Sequence, residues 1–373
     1  LRKKRWTKIL FSFIGFILVV TTTTIALAST GHSSLKGNLE QRLETFMDQK
    51  ALSDHFNGVV LVAKDGKTIF EKGYGYANKE AGISNGADAE FKIASLTKSF
   101  TAVSILQLEE QGKLRTTDPV SKYIPGFPNG DKVTIHSLLT HSSGVKDHAK
   151  LTDTTKPITL SAFIDLMKKQ TLLFEPGSQY KYSNTGYMIL AYIVEKVSGQ
   201  SYGNYYNEHI FKPAGMQHTY LRKVQAKNFA IGYENMKPII DNDDESQLAG
   251  AGDIISTAGD MQKYINALNK HQLLNKVETK KMETGYIDSS EWGIFKYGYG
   301  WNVADNIISF DRPMIEHNGN LPGYKSDVAD FPEDHVTVIL LSNNHGAWST
   351  GPLTRELASI CLDKRYWYIQ NDF

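Results

Sequence analysis

Ser95-Leu96-Thr97-Lys98 is the stretch whose residue types and spacing first suggest chemistry. Residues three apart on a helix share a face, with Cβ atoms roughly 5–6 Å apart, so the Ser95 hydroxyl and the Lys98 amine converge if Ser95 opens a helix. The Ser95 backbone N–H then lies at the positive end of the helix dipole, where it can face an oxyanion developing on an attacked carbonyl. A serine hydroxyl is a poor nucleophile until a base takes its proton, and a lysine does so only where burial or a second cation lowers its pKa. The motif alone is unspecific, because S-x-x-K begins at Ser33, Ser95, Ser143 and Ser178. Only the Ser95 copy leads into a long apolar segment, with Leu96, Phe100, Ala102, Val103, Ile105, Leu106 and Leu108 covering more than one face, as in a buried helix. Lys98 is then an inward cation that packing does not require.

A tyrosine can share the proton transfer where positive charge favours its phenolate. Y-x-N begins at Tyr76, Tyr182, Tyr202, Tyr205, Tyr233 and Tyr264. Tyr182 differs in context: it follows the Pro176-Gly177 turn and precedes a helix, so it can project from a loop into a cleft. Ser183 also reads as a cap for that helix and Asn184 as a partner for loop backbone. His317-Asn318-Gly319 is the only H-x-G; it ends a strand and runs into Asn320-Leu321-Pro322-Gly323. Gly319 would let a substrate backbone approach closely, and the Asn320 N–H would be a second oxyanion donor. Taken singly, Tyr182 reads better as an ordinary structural tyrosine and His317 as a hydrogen-bonded strand-end histidine.

The elements that must carry these residues follow from periodicity and turn chemistry. An amphipathic helix spans roughly 39–49. Two strand-like runs flank Asp65-Gly66, the signal of a hairpin, and 73–78 is expected to continue its second strand. Helices are expected over 135–140 after Thr134, after Ser161, over 186–197 up to Gly199, from Ser201 to Pro213, and from Ser256. Strands return at 300–303, 314–317, 324–331 and 336–342, followed by a helix over about 353–362. The expected fold is therefore α/β plus all-α: an antiparallel sheet built from N- and C-terminal strands and flanked by helices, with a large helical insert. The α/β part is placed at about 38–92 and 295–373 and the helical part at about 93–294. Tyr297-Gly298-Tyr299-Gly300-Trp301 either lines a cleft or packs where a strand begins, with packing the better reading, and His141, at a helix end, reads as structural.

Bulk properties narrow the class. Arg2, Lys3, Lys4, Arg5 and Lys8 precede an apolar run over 9–20 and an Ala26-Leu27-Ala28 site, the plan of a signal peptide over 1–28. Export to the medium or cell surface is expected, with membrane contact only through this segment where it stays uncleaved. Without it, 36 Lys and Arg face 40 Asp and Glu, a balance of −4 that gives no sign of nucleic-acid binding. Cys361 is the only cysteine, so no internal disulfide forms, and it reads as a buried small apolar residue. Eleven histidines without H-E-x-x-H or a cysteine cluster give no metal site, and no cofactor is expected.

S-x-x-K on a buried helix, Y-x-N on a loop of a helical insert and H-x-G on a late strand, in that order, closely resemble the serine β-lactamase and penicillin-binding-protein superfamily. The likeness is to the branch with class C β-lactamases, DD-peptidases and related esterases. Val133 to Gly144, 174–186, Ser256-Thr257 with Asp260-Met261, and His317 to Gly323 agree with it, so it runs from about 42 to 363. The resemblance implies Ser95 as acylated nucleophile and Lys98 and Tyr182 as acid and base, with the division between them open. It also implies His317 as a further catalytic residue, Asn184 on the substrate amide, and Asn318 and Gly319 at the substrate beside His317. The N–H groups of Ser95 and Asn320 would form the oxyanion hole. His317 stands where many members have Lys, and Asn318 where a Thr often helps bind the β-lactam carboxylate, which weakens the case for a dedicated β-lactamase. A monomeric D-alanyl-D-alanine carboxypeptidase acting on D-amino-acid peptides or peptidoglycan stems is the activity implied. A β-lactamase or carboxylesterase, and a penicillin-binding receptor that acylates without turnover, are the alternatives.

Overall fold

In the computed structural model, residues 35–53, 55–221, 228–290, 293–346 and 349–366 are described, and the expected signal segment 1–28 lies outside them. Strands β1 (Gly58–Lys64) and β2 (Lys67–Tyr74) form a hairpin. Asp65 and Gly66 join them with φ of 53° and 73°, the left-handed values of a type I′ turn. The sheet resumes far along the chain with β3 (Ile287–Asp288), β4 (Lys296–Tyr297), β5 (Asn302–Ala304), β6 (Met314–Leu321), β7 (Tyr324–Phe331) and β8 (Val336–Ser342). Its order is β3-β4-β5-β6-β7-β8-β1-β2, and β8 pairs antiparallel with β1, with Leu61 opposite Ile339.

Both faces of this sheet are covered, which explains why β1 and β8 are apolar at almost every position. Alternate side chains enter different cores. Val59, Leu61, Ile339 and Leu341 pack with the helical region. Val60, Val62, Val338 and Leu340 pack beneath helix α1 (Leu39–Ser53) and the last helix of the chain. Between the two blocks of strands come α2 (Thr97–Glu110), α3 (Ile135–Leu139), α4 (Leu160–Met167), α5 (Asn184–Ser198), α6 (Tyr202–Tyr206), α7 (Ala258–Asn269) and α8 (Lys276–Met282), and α9 (Thr350–Cys361) ends the series. Helix α2 is buried over nearly its whole circumference, as its apolar sequence requires. On the α9 side of the sheet, Arg355 Nη1 donates to Glu316 at 2.6 Å, tying that helix to β6 one residue before His317.

Several boundaries differ from expectation for local reasons. Residues 76–78 do not extend β2, because Gly75 turns the chain at φ 65° and Tyr76–Asn78 pairs with Ile83–Ser84 instead. The caps of α4 and α7 are Thr159 and Thr257, not Ser161 and Ser256, each accepting a backbone N–H of its own first turn. Pro213 does not stop the segment begun at Ser201 but lies inside its last turn, Lys212–Ala214, and Gly215 at φ 73° ends it.

Candidate active site

Ser95 lies in a 3-10 turn, Ala94–Leu96, immediately before α2, and is half-buried. The residue before it, Ala94, has φ 50°, a left-handed value that costs a non-glycine residue roughly 1–2 kcal/mol. The surroundings hold it there. Ser326 Oγ on β7 donates to the Ile93 carbonyl at 2.7 Å, and Ile93 N–H donates to the Ile254 carbonyl at 3.0 Å. Gly319 on β6 is pressed against the same turn: a Cβ there would overlap Ser326 Oγ and Ile93 O and lie 2.9 Å from Ala94 Cβ. The missing side chain of Gly319 therefore admits the nucleophile's own turn, where the sequence suggested a substrate backbone. Gly300 approaches from the other side, its missing Cβ 2.8 Å from Ser99 Cα.

Lys98 is fully buried. Its Nζ lies 3.0 Å from Ser95 Oγ, 2.8 Å from Asn184 Oδ1 and 2.7 Å from the Ala251 carbonyl oxygen. Two of these neighbours are pure acceptors and take two N–H bonds. The third direction holds the only partner that can itself donate, the Ser95 hydroxyl. As an ammonium Lys98 donates to all three; as the neutral amine that burial favours it keeps the two bonds to pure acceptors and turns its lone pair to the proton Ser95 must lose. Burial drives the Lys98 pKa well below 10.5, and the nearby Asp253 carboxylate pulls the other way. The amine also sits 4.8 Å from the centre of the Tyr182 ring.

Tyr182 stands in the loop before α5, whose cap is Ser183, accepting the Gly186 N–H. Tyr182 is 41% exposed, and Ser95 is the polar side chain that acts on its hydroxyl. The low polarity around that hydroxyl raises its pKa above 10, so the residue is a phenol at rest and acts first as a proton donor. His141 holds it in place. The His141 carbonyl accepts the Lys181 N–H at 2.8 Å, Nδ1 accepts the Ser183 N–H at 3.1 Å, and the two rings lie 4.3 Å apart. His141 thus grips the loop on both sides of Tyr182, a larger part than a helix-end histidine suggested.

His317 closes the site from β6. It is 2% exposed, with Nε2 2.9 Å from the Tyr297 hydroxyl and Nδ1 2.6 Å from the Asn318 carbonyl oxygen. Burial pushes its pKa down to about 3. So buried a histidine stays in its neutral form where an ordinary one would titrate. Asn318 and Asn320 are exposed. Strand β5 pairs with β6 only through Met314–Glu316, so beyond His317 that edge of β6 carries no strand partner among the described residues. A cavity of about 1360 Å³ is lined by Lys92, Asp241, Pro322 and Tyr324 among others and contains none of Ser95, Lys98, Tyr182 or His317. Reactive geometry, not volume, marks the site. Among the described residues no group of His, Cys, Asp and Glu is arranged to hold a metal ion.

Comparison with known proteins decides the family, since the Beta-lactamase family profile matches residues 39–360. The chain belongs to the beta-lactamase family. A Bacillus subtilis (strain 168) protein named as a penicillin-binding protein, PbpX, is 35% identical to it over 317 residues, covering 82% of this chain and 76% of the relative. The octameric penicillin-binding protein homologue from Pyrococcus abyssi superposes with a TM-score of 0.76 at 29% identity, over 87% of this chain and 77% of that one. The D-stereospecific amidohydrolase from Streptomyces sp. superposes with a TM-score of 0.70 at 26% identity, over 87% of this chain and 98% of that one. As a serine hydrolase of the beta-lactamase family, the chain brings together Ser95, Lys98, Tyr182, Asn184 and His317 from a turn, three helix starts or loops, and a strand. Sequence reasoning missed the Ala251 carbonyl, which has no side-chain signal, and the loop-gripping part of His141. It preferred packing for Tyr297, which is fully buried and also bonds His317.

Proposed function

We propose that the protein is an exported serine acyl hydrolase that cleaves D-amino-acid peptides and amides of the peptidoglycan-stem kind through an acyl-enzyme on Ser95. The observation that carries this is the Lys98 amine 3.0 Å from Ser95 Oγ, buried, with its two N–H bonds directed to Asn184 and Ala251. In the reaction Lys98 takes the Ser95 proton as Oγ attacks the acyl carbonyl. The N–H groups of Ser95 and Asn320 face the resulting oxyanion; losing one such donor costs about 10²–10³ in rate in other enzymes. The carbonyl–nitrogen bond breaks, the departing nitrogen takes a proton through the Tyr182 hydroxyl, and water then releases the acid and restores Ser95. The D-configuration is supported by the penicillin-binding relatives and by the D-stereospecific amidohydrolase. Export is supported by the basic and apolar residues at 2–20.

The test is hydrolysis of paired D- and L-peptides, amides and esters, together with a chromogenic β-lactam, by wild type and Ser95→Ala. D-substrates should be turned over and the activity should fall by roughly 10⁴-fold or more in the variant. Equal turnover of L-substrates would refute the D-amino-acid reading, and retained activity in Ser95→Ala would remove Ser95 from the chemistry.

A further inference from the structure

Tyr182 has to be aimed although little protein covers it: it is 41% exposed and stands in the connection from α4 to α5, outside both helices. Backbone bonds lace this connection to the segment that follows α3. Leu173 N–H donates to the Gly144 carbonyl at 2.7 Å, Gly177 N–H to the Ser142 carbonyl at 2.8 Å and Lys181 N–H to the His141 carbonyl at 2.8 Å. The last bond of the series, next to Tyr182, differs in kind: Ser183 N–H donates to a side chain, Nδ1 of His141, at 3.1 Å. Ser183 is also the cap of α5, so this bond fixes the point where the loop enters the helix. His141 is buried and backed by α3, its own N–H donating to the Leu138 carbonyl at 3.3 Å. A neutral imidazole that accepts at Nδ1 carries its hydrogen on Nε2. Burial holds the ring in that uncharged form, with its pKa well below 6.5. Nε2 is itself buried without a partner among the described residues, and an unpaired buried donor costs stability. An apolar ring of similar shape would fill the space beside Tyr182 without that cost. Packing therefore does not call for a histidine here, whereas the acceptor at Nδ1 does.

We propose that His141 is a positioning residue for proton transfer to the departing nitrogen: by accepting the Ser183 N–H it fixes the backbone beside Tyr182 and aims the phenol hydroxyl. The inference rests on the acyl-enzyme reading, in which Tyr182 protonates the leaving group, and adds a residue that reaches the reaction only through another. The residues on both sides of Tyr182 are then anchored to one histidine, Lys181 through its carbonyl and Ser183 through its ring. Such a residue affects one class of substrate more than another. A departing amine must gain a proton as the carbonyl–nitrogen bond breaks, whereas p-nitrophenolate leaves as an anion without one. Loosening Tyr182 slows the first reaction more than the second.

The test compares kcat/KM for N-acetyl-D-alanine p-nitroanilide and N-acetyl-D-alanine p-nitrophenyl ester, which share the acyl part, in wild type, His141→Phe and His141→Asn. His141→Phe keeps a ring beside Tyr182 and loses the acceptor. His141→Asn loses the ring, keeps an acceptor on Cγ and tolerates the left-handed backbone at this position, φ 57°. His141→Phe should lower the anilide rate by about 10- to 100-fold, the scale of a misplaced catalytic group, and the ester rate far less. His141→Asn should recover most of the anilide rate. Should His141→Phe not fold, His141→Ala takes its place with the same split expected. Equal losses on the two substrates, an anilide rate near wild type without the acceptor, or a His141→Asn slower than His141→Phe on the anilide would overturn the proposal. No turnover of either substrate by wild type, with no acylation of Ser95, would instead overturn the hydrolase reading and this inference with it.

Discussion

Lys98 can act as a base only because its environment takes away its charge. A surface lysine beside Ser95 would be an ammonium at neutral pH and useless to the hydroxyl. Burial removes that preference for charge, and Asp253 opposes it. Asp253 is itself buried, accepts the Tyr202 hydroxyl at 2.6 Å and the Gly250 N–H at 3.1 Å, and has its pKa pushed up to about 7 by desolvation. It belongs to the segment that presents the Ala251 carbonyl to Lys98, so it acts on the base through charge and through position. Removing its negative charge should make Lys98 easier to deprotonate. We expect Asp253→Asn to move the acid limb of the kcat/KM profile to lower pH, the sign that follows from deleting a carboxylate near an amine. A limb that stays fixed or moves up would remove Asp253 from the control of Lys98. Of these residues, Lys98 was readable from its neighbours because a cation at the start of an apolar helix is out of place. Asp253 was not, because its nearness to Lys98 comes from contacts between residues more than a hundred positions apart.

At the scale of elements, the decisive feature is the meeting of β6 with the turn that carries Ser95. A strand reaches a strained turn only where no side chain stands between them, and Gly319 meets that need. Ser326 on the neighbouring strand then bonds the Ile93 carbonyl behind Ala94. A methyl group at Gly319 would drive β6 and the turn apart by shifting both. Gly319→Ala should lower kcat/KM by about 10²-fold, the scale expected from misplacing a nucleophile by about 1 Å. It should also cost about 1–3 kcal/mol of stability, the range for overpacking a tight contact. Wild-type kinetics in that variant would show that β6 does not position Ser95. The element types were legible because their signals are local: Asp-Gly for the hairpin, Thr134 as the cap of α3, Gly199 at φ 74° ending α5. What Gly319 faces was not legible, since a glycine tells only that something comes close.

At the scale of the whole molecule, the sheet closes by pairing β1 with β8, and this brings the first and last strands together around the inserted helices. One sheet from both ends of the chain was readable from strand-like runs before and after a helical stretch, whereas the pairing of β1 with β8 was not, because it joins residues far apart in sequence. The core does the holding. Cys361 is buried in the cluster beneath α9, its thiol pushed up to about 12 by desolvation, and behaves as a small apolar residue. Helices and sheet together leave Ser95 at the margin of the core on the helical side, between buried Ile93 and Leu96, and itself half-buried. Removing its hydroxyl touches neither core, so Ser95→Ala should keep its melting temperature close to wild type while losing its chemistry. The most direct measurement is time-resolved intact-protein mass spectrometry after mixing with a penicillin-type acylating probe, followed by mapping of the labelled peptide. One acyl group per chain is expected, located on Ser95 and absent in a folded Ser95→Ala. An adduct on another residue, or the same adduct in Ser95→Ala, would contradict it.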